Sequence, residues 1–168
     1  MGKRTYRGKK KSLAIFAAGC FWSKEYAFNR RPGVLSTRVG YIGGHTENPT
    51  YKEVCSKISG HAEAVEVTFD PDQTDFETLA KYFFEIHDPS IDRRAKGGQY
   101  RSAIFYTNDK QLQIAEELIA ALRQKGIDVA TSLEPATTFW SAEARHQKYC
   151  DTRGLEPTDR YTRRFNEE

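Results

Sequence analysis

Six apolar residues in a row, Leu13-Ala14-Ile15-Phe16-Ala17-Ala18, closed by Gly19, limit what this chain can build. The run has the length of a buried strand and is short for a helix. It follows Lys9-Lys10-Lys11 and precedes Gly19-Cys20, a layout shared with export signals that end in a lipidated cysteine. It falls below the roughly seven to fifteen apolar residues of a signal core, which favours the strand.

The pattern downstream agrees with a strand there. Phe21 to Arg30 carries Phe21, Tyr26 and Phe28 without Gly or Pro and stops at Pro32-Gly33, as a helix does. Val34 to Ile42 reads as a second strand, closed by Gly43-Gly44. A polar stretch from Gly43 to Gly60 leaves room for a short helix from Thr50 to Ser56. Ala62 to Phe69 then alternates, with Glu63, Val65, Val67 and Phe69 on one face and Glu66 and Thr68 on the other. Thr74 and Glu77 fit a capping box. Phe76, Leu79, Ala80, Phe83 and Ile86 follow as a helical stripe that ends near His87-Asp88-Pro89. Ser102 to Tyr106 is the next strand. Asn108 can cap a third helix, with Leu112, Ala115, Leu118, Ile119 and Leu122 on one face and Gly126 as its stop. Val129 to Leu133 reads as a last strand and Ser141 to Cys150 as a short helix. Two successive strand–helix–strand units, of the ferredoxin-like kind, predict an α/β (α+β) two-layer sandwich.

Composition narrows the function. A chain of 168 residues with 38% hydrophobic and 29% charged residues suits one domain with a real core. The net charge of +3 does not demand a nucleic-acid partner. Basic residues do crowd Lys3 to Lys11 and recur at Arg160, Arg163 and Arg164, and solvated tails are the expectation for both groups. No run approaches the ~18 apolar residues of a membrane span, so no membrane partner is expected. Cys20, Cys55 and Cys150 are too few for a disulfide scaffold, and no pair has zinc-site spacing. No metal and no cofactor are expected. An odd count in an intracellular-looking chain suggests a reactive thiol.

Cys20 stands where the first strand meets the first helix. Unpaired N–H groups and the helix dipole favour an anion there, which lowers a thiol's pKa; a small buried core cysteine is the competing reading. Glu63 shares a strand face with Val65 and Val67. Desolvation there raises a carboxyl pKa and lets it donate a proton near neutrality; a strand-end glutamate bending to solvent is the alternative. His61, just before it, reads as a local hydrogen-bond partner. Phe21 and Trp22 directly follow the thiol and can wall an apolar pocket or simply pack the core.

Gly19-Cys20-Phe21-Trp22 resembles the signature of peptide methionine sulfoxide reductases of the A type. So do Gly40-Tyr41-Ile42-Gly43-Gly44, Asn48-Pro49-Thr50-Tyr51, Val54-Cys55-Ser56 and Gly60-His61-Ala62-Glu63-Ala64-Val65. The resemblance resumes at His87-Asp88-Pro89, Gln99-Tyr100-Arg101-Ser102 and His146-Gln147-Lys148-Tyr149, in family order. It implies a two-layer sandwich around a mixed sheet, and reduction of methionine-S-sulfoxide, free or in oxidised proteins. It implies Cys20 as nucleophile, Glu63 as proton donor to the sulfoxide oxygen, Tyr51 and Tyr100 as hydrogen-bond donors to that oxygen, and Phe21 and Trp22 as a cradle for the methyl group. Three departures stand out. Ser23 replaces a Gly, the loop before Gln99 is short, and Ala95-Lys96-Gly97-Gly98 lacks the family's Asp, for which Asp88 or Asp92 can compensate.

Attack leaves Cys20 as a sulfenic acid, which a second thiol converts to a disulfide. Thioredoxin is the expected reductant. Cys150 is the expected resolving thiol, because it precedes a polar Gly- and Pro-containing segment able to move, and Cys55 is the expected bystander; direct reduction by external thiols is the alternative. The expected organisation is a basic tail over 1–11, a catalytic domain over 12–150 and a polar tail over 151–168, in a cytoplasmic monomer. Two other classes compete: another thiol enzyme, such as a cysteine hydrolase with His61 or His146 as base or a peroxide-reducing protein, and a basic nucleic-acid-binding module.

Overall fold

The structure, a computed structural model, describes residues 11–95, 97–158 and 161–165, so the expected basic tail over 1–11 lies almost wholly outside the described residues. Six strands make one sheet: β1 Ser12–Ala18, β2 Val34–Ile42, β3 Ala62–Phe69, β4 Ser102–Tyr106, β5 Ser132–Pro135 and β6 Trp140–Ser141. Their order is β5-β4-β1-β3-β2-β6. Only β4 and β5 run parallel, so the sheet is mixed. The helices are α1 Phe21–Asn29, α2 Tyr51–Cys55, α3 Phe76–Glu85, α4 Asp109–Gln124 and α5 Tyr149–Thr152, with a short 3-10 turn over Ala144–His146.

β1 lies between β4 and β3 and is covered on both faces, which is why its sequence is an unbroken apolar run. Ala14, Phe16 and Ala18 face the main core together with Val65 and Val67 of β3 and the apolar sides of α1, α3 and α4. Ile15 and Ala17 face a smaller cluster with Ala62, Ala64, Ala103 and Phe105, closed by Phe139. Phe16 is the centre of the main core, with ring centroids 5.0 Å from Phe28, 5.2 Å from Phe83 and 5.9 Å from Phe76. One strand residue thus ties α1 and α3 to the sheet.

Three expected boundaries shift, and specific hydrogen bonds account for each. Asp75 rather than Thr74 caps α3, because its carboxylate accepts the Thr78 N–H at 2.8 Å. The last strand expected at Val129 to Leu133 begins at Ser132, since Ala130 N–H is diverted to Pro89 O. The helix expected over Ser141 to Cys150 is instead β6, the 3-10 turn and α5. Two buried contacts hold that segment extended. Gln147 brackets the Val39 backbone, accepting from its N–H at 3.0 Å and donating to its O at 2.8 Å. Lys148 donates its N–H at 2.8 Å and its ammonium at 2.9 Å to the buried Glu25 carboxylate of α1. Both bonds need backbone that has left the helical path, and Lys148 has φ 52°.

The expected free tail is anchored where it is described. Glu85 of α3 accepts from Tyr161 OH and from the N–H groups of Arg164 and Phe165, and Phe165 is buried in the main core.

Replacing Phe16 by Ala removes the shared ring of the aromatic stack. We expect Phe16→Ala to lower stability by about 3–5 kcal/mol. Urea unfolding measures it, and a loss under 1 kcal/mol would contradict this account of the core.

Candidate active site

β1 ends at Ala18, and Gly19 turns the chain with φ 99°, a left-handed value that suits Gly. Cys20 then takes the N-cap position of α1 in an extended conformation, and no side chain caps the helix. The thiol therefore faces the N–H groups of Trp22 and Ser23. Burial raises the Cys20 pKa above its usual value and outweighs the rest; the Trp22 N–H lowers it, the Glu63 charge raises it, and the Ser23 N–H and Lys24 lower it. The depression expected from the helix start is real but smaller than the desolvation, so the resting site holds a thiol.

Glu63 reaches this position through sheet register. β1 and β3 are antiparallel with Phe16 opposite Val65, and Glu63 lies on the same face as Val65, towards α1. Its side chain is 1% exposed. One carboxylate oxygen accepts the Phe21 N–H at 3.2 Å and the other accepts the Gln99 amide at 2.7 Å. Burial pushes its pKa up to about 7 against the lowering effect of both bonds. Near neutral pH it is close to half protonated, next to the residue that follows the thiol.

The aromatic residues form a lined slot. Trp22 stacks flat on Tyr149 at 3.8 Å and donates its indole N–H to His146 Nδ1 at 3.0 Å. That bond fixes the proton of neutral His146 on Nε2, which is buried without a partner among the described residues. The His146 ring lies 4.5 Å from Tyr51 and 5.5 Å from Phe21. Glu143 holds the Tyr51 N–H and the Tyr41 hydroxyl, each at 2.8 Å. Tyr51 is raised by burial, then by the Cys55 thiol beside it and by Glu63. Tyr100 is raised by burial, then by the charges of Glu63, Cys20 and Cys55, while hydrogen bonding with Tyr51 lowers it. Both phenols keep their protons and remain donors.

Six of the seven residues singled out in the sequence, Cys20, Phe21, Trp22, Tyr51, Glu63 and Tyr100, therefore share one neighbourhood. Cys150, buried in α5, touches this neighbourhood from the backbone side, with its sulfur 3.5 Å from Trp22 O. Cys55 does join it, with its sulfur 3.3 Å from the Gln99 amide that also holds Glu63. Gln99 and Tyr149 stood in the motif blocks without a role of their own, His146 entered only as a base for a rival thiol enzyme, and nothing in the pattern marked Glu143. Neither aspartate proposed to replace the family's missing Asp supports the tyrosines: Asp92 pairs with Arg94, and Asp88 accepts from Ser90. No histidine is set as a base for Cys20. His61 accepts from Gly44 N–H and bonds Thr46 O, and His146 is taken up by Trp22. Among the described residues no group of three His, Cys, Asp or Glu could hold a metal ion, and no helix is long and apolar enough to cross a membrane.

A thiol at a helix start, beside a carboxyl that exchanges its proton near neutrality, is equipment for thiol-based redox or transfer chemistry on a substrate that must be protonated as it is attacked. Comparison makes the class specific. A family model described as peptide methionine sulfoxide reductase matches residues 12–167. The Peptide methionine sulfoxide reductase MsrA of Methanothermobacter thermautotrophicus is 50% identical over 144 residues, 82% of this chain and 85% of that protein. Methionine sulfoxide reductase A of Corynebacterium diphtheriae superposes with TM-score 0.77 at 34% identity, covering 90% of this chain and 80% of that one. Reduced Mxr1 from Saccharomyces cerevisiae superposes with TM-score 0.77 at 29% identity, covering 95% and 93%. The same yeast protein in complex with Trx2 aligns with TM-score 0.58 at 25% identity, covering 90% of each chain. The chain belongs to the peptide methionine sulfoxide reductase family.

The raised pKa of Glu63 carries a stability signature. Its folded pKa of about 7 lies above the ordinary 4.5, so the folded state holds more protons between those values. Stability must therefore fall as pH rises through that window. We expect thermal unfolding of Glu63→Gln to lose this slope, a difference of about 1–3 kcal/mol between pH 5 and pH 8. Parallel curves for parent and variant would remove Glu63 as the titrating group.

Proposed function

We propose that this protein reduces methionine-S-sulfoxide, free or in oxidised proteins, with Cys20 as nucleophile and Glu63 as the acid. The observation that carries the reading is Glu63: a fully buried carboxyl that titrates near 7, bonded to the amide of the residue after the thiol. A sulfoxide sulfur is a weak electrophile until its oxygen is protonated or strongly hydrogen-bonded. Glu63 supplies that proton, and Tyr51 and Tyr100 hold the oxygen as charge develops. Passing the Glu63 proton to substrate leaves a carboxylate, which takes up the Cys20 proton as the sulfur attacks. The S–O oxygen goes to Cys20, methionine leaves as the thioether, and Cys20 is a sulfenic acid. Phe21 and Trp22 wall the apolar part of the slot beside the thiol, where the substrate methyl fits.

Regeneration needs two electrons from thiols. A second thiol condenses with the sulfenic acid, water leaves, and a dithiol reduces the resulting disulfide. The complex of yeast Mxr1 with Trx2 supports thioredoxin as that dithiol. Cys150 remains our proposed resolving thiol, and it requires α5 to shift, because its sulfur is packed against the Trp22 carbonyl. A second reading rests on a specific observation: the Cys55 sulfur already lies in the site, 3.3 Å from the Gln99 amide. We further propose that the protein acts as a monomer in the cytoplasm, where thiols are kept reduced.

Turnover of each methionine sulfoxide epimer with dithiothreitol tests the reaction. We expect the S epimer alone to be consumed, and consumption of neither sinks the proposal. Glu63→Gln should slow a single turnover by about a hundredfold, the usual worth of a general acid. Peptide mapping after one turnover tests regeneration. A Cys20–Cys150 bridge, with thioredoxin-supported turnover lost in Cys150→Ser, is expected. A Cys20–Cys55 bridge assigns the step to Cys55.

A further inference from the structure

Beside Cys20 lies a cavity of about 490 Å³. It shares Cys20 and Tyr100 with the slot, but Phe21, Trp22, Tyr51 and His146 do not line it. Three cationic side chains from three separate parts of the chain do: Lys24 from α1, Arg93 from the loop before β4, and Arg164 from the anchored C-terminal segment. The geometry points to a carboxylate-binding subsite here, which takes an acidic group of the methionine sulfoxide substrate. This inference rests on the reductase reading and adds a substrate preference to it.

Two guanidinium groups, those of Arg93 and Arg164, meet at the cavity. Asp88 is the one carboxylate among the described lining residues, and its Oδ1 is engaged by the Ser90 N–H at 3.0 Å and hydroxyl at 2.6 Å. His87 also lines the cavity but stays neutral. Its two ring nitrogens are bonded to Phe83 O and Ser102 Oγ, each at 2.7 Å, and burial pushes its pKa down to about 4. Arg93 and Arg164 thus line the cavity while its one described carboxylate is already engaged.

Two of the cations are set for the task. Arg164 is oriented by its Nε, which donates to Phe84 O at 2.7 Å. Arg93 is held by no hydrogen bond or ion pair among the described residues, and its Nη1 lies 4.0 Å from where a Cβ on Gly19 would stand. The guanidinium therefore borders the residue before the thiol. A substrate whose sulfoxide lies against Cys20 places its backbone and nearest groups within reach of this cavity. A guanidinium matches a carboxylate with two parallel N–H bonds, and Arg164 adds long-range attraction. The carboxylate can come from an acidic residue beside the methionine sulfoxide in a peptide or from the amino acid's own α-carboxyl.

Blocked peptides Ala-X-Met(O)-X-Ala, with X as Glu, Gln or Lys, test the site. We expect kcat/KM for Glu over Lys to be roughly tenfold at low salt and to shrink as salt is raised. Arg93→Gln should reduce the ratio and Arg93→Glu should reverse it. Because the ratio is taken within each protein, a change in basal rate does not affect it. A parallel arm compares N-acetyl-methionine sulfoxide with its amide. An Arg93-dependent preference for the acid assigns the subsite to the substrate's own carboxylate, and an Arg93-dependent preference for Glu peptides assigns it to a neighbouring residue. Equal rates in both arms, or a preference unchanged in Arg93→Glu, overturn the inference. Should no peptide be reduced, the reductase reading has failed. Dissociation constants of the same peptides, from quenching of tryptophan fluorescence, then decide the carboxylate site by the same ratios.

Discussion

The Glu63 carboxyl joins the parts of this structure that matter for chemistry. It belongs to β3, accepts from the first amide of α1 and from the Gln99 amide before β4, and so links three separate stretches of chain at one point. Charging it costs free energy, because it is buried among apolar strand residues. The two bonds offset part of that cost and leave the group titrating near neutrality. A fully solvated carboxyl would be ionised at pH 7, and a fully unbonded one would stay protonated. The intermediate state allows the same group to give a proton and take one back.

The aromatic slot depends on a second set of polar bonds behind it. Buried Glu25 and Thr37 form one group with the half-buried Lys148, the Thr37 hydroxyl and the Lys148 ammonium both donating to Glu25 Oε2. Gln147 ties the same segment to β2. These bonds set His146 and Tyr149 against Trp22, which would otherwise have a half-buried indole with an unpaired N–H. The His146-Gln147-Lys148-Tyr149 block thus has rings at its two ends that line the slot and two polar side chains between them that fasten it. Removing a fastener is expected to act on the slot without touching substrate.

The three thiols differ by placement. Cys20 is reachable by solvent at a helix start, Cys55 lies at the end of α2 beside Tyr51 and Gln99, and Cys150 is buried within α5 against the Trp22 carbonyl. Cys55 already shares the Gln99 amide with Glu63, while Cys150 sits in a short helix tied to α1 by the Lys148–Glu25 and Arg30–Asp151 pairs. Disulfide formation demands close approach of the two backbones, so the choice between them is one of local mobility rather than reactivity.

Much of this was legible in the sequence, for a simple reason. Strand and helix periods are local, so the run Leu13–Ala18, the alternation from Ala62 and the stripe from Phe76 declared their elements and their buried faces. Glu63 could be flagged because a carboxylate on an apolar face is anomalous wherever it occurs, and Cys20 because Gly19 breaks a strand just before a helix. The segment from Ser141 to Cys150 could not be read this way. Its helix-like composition is overridden by bonds from Gln147 and Lys148 to residues more than a hundred positions earlier. The same holds for Cys55 and for Arg93 beside Gly19. Which thiol shares a glutamine with Glu63, and which cations meet beside Cys20, follow from sheet register and from the anchoring of the C-terminal segment on Glu85. Those are contacts between distant parts of the chain, and only the tertiary structure decides them.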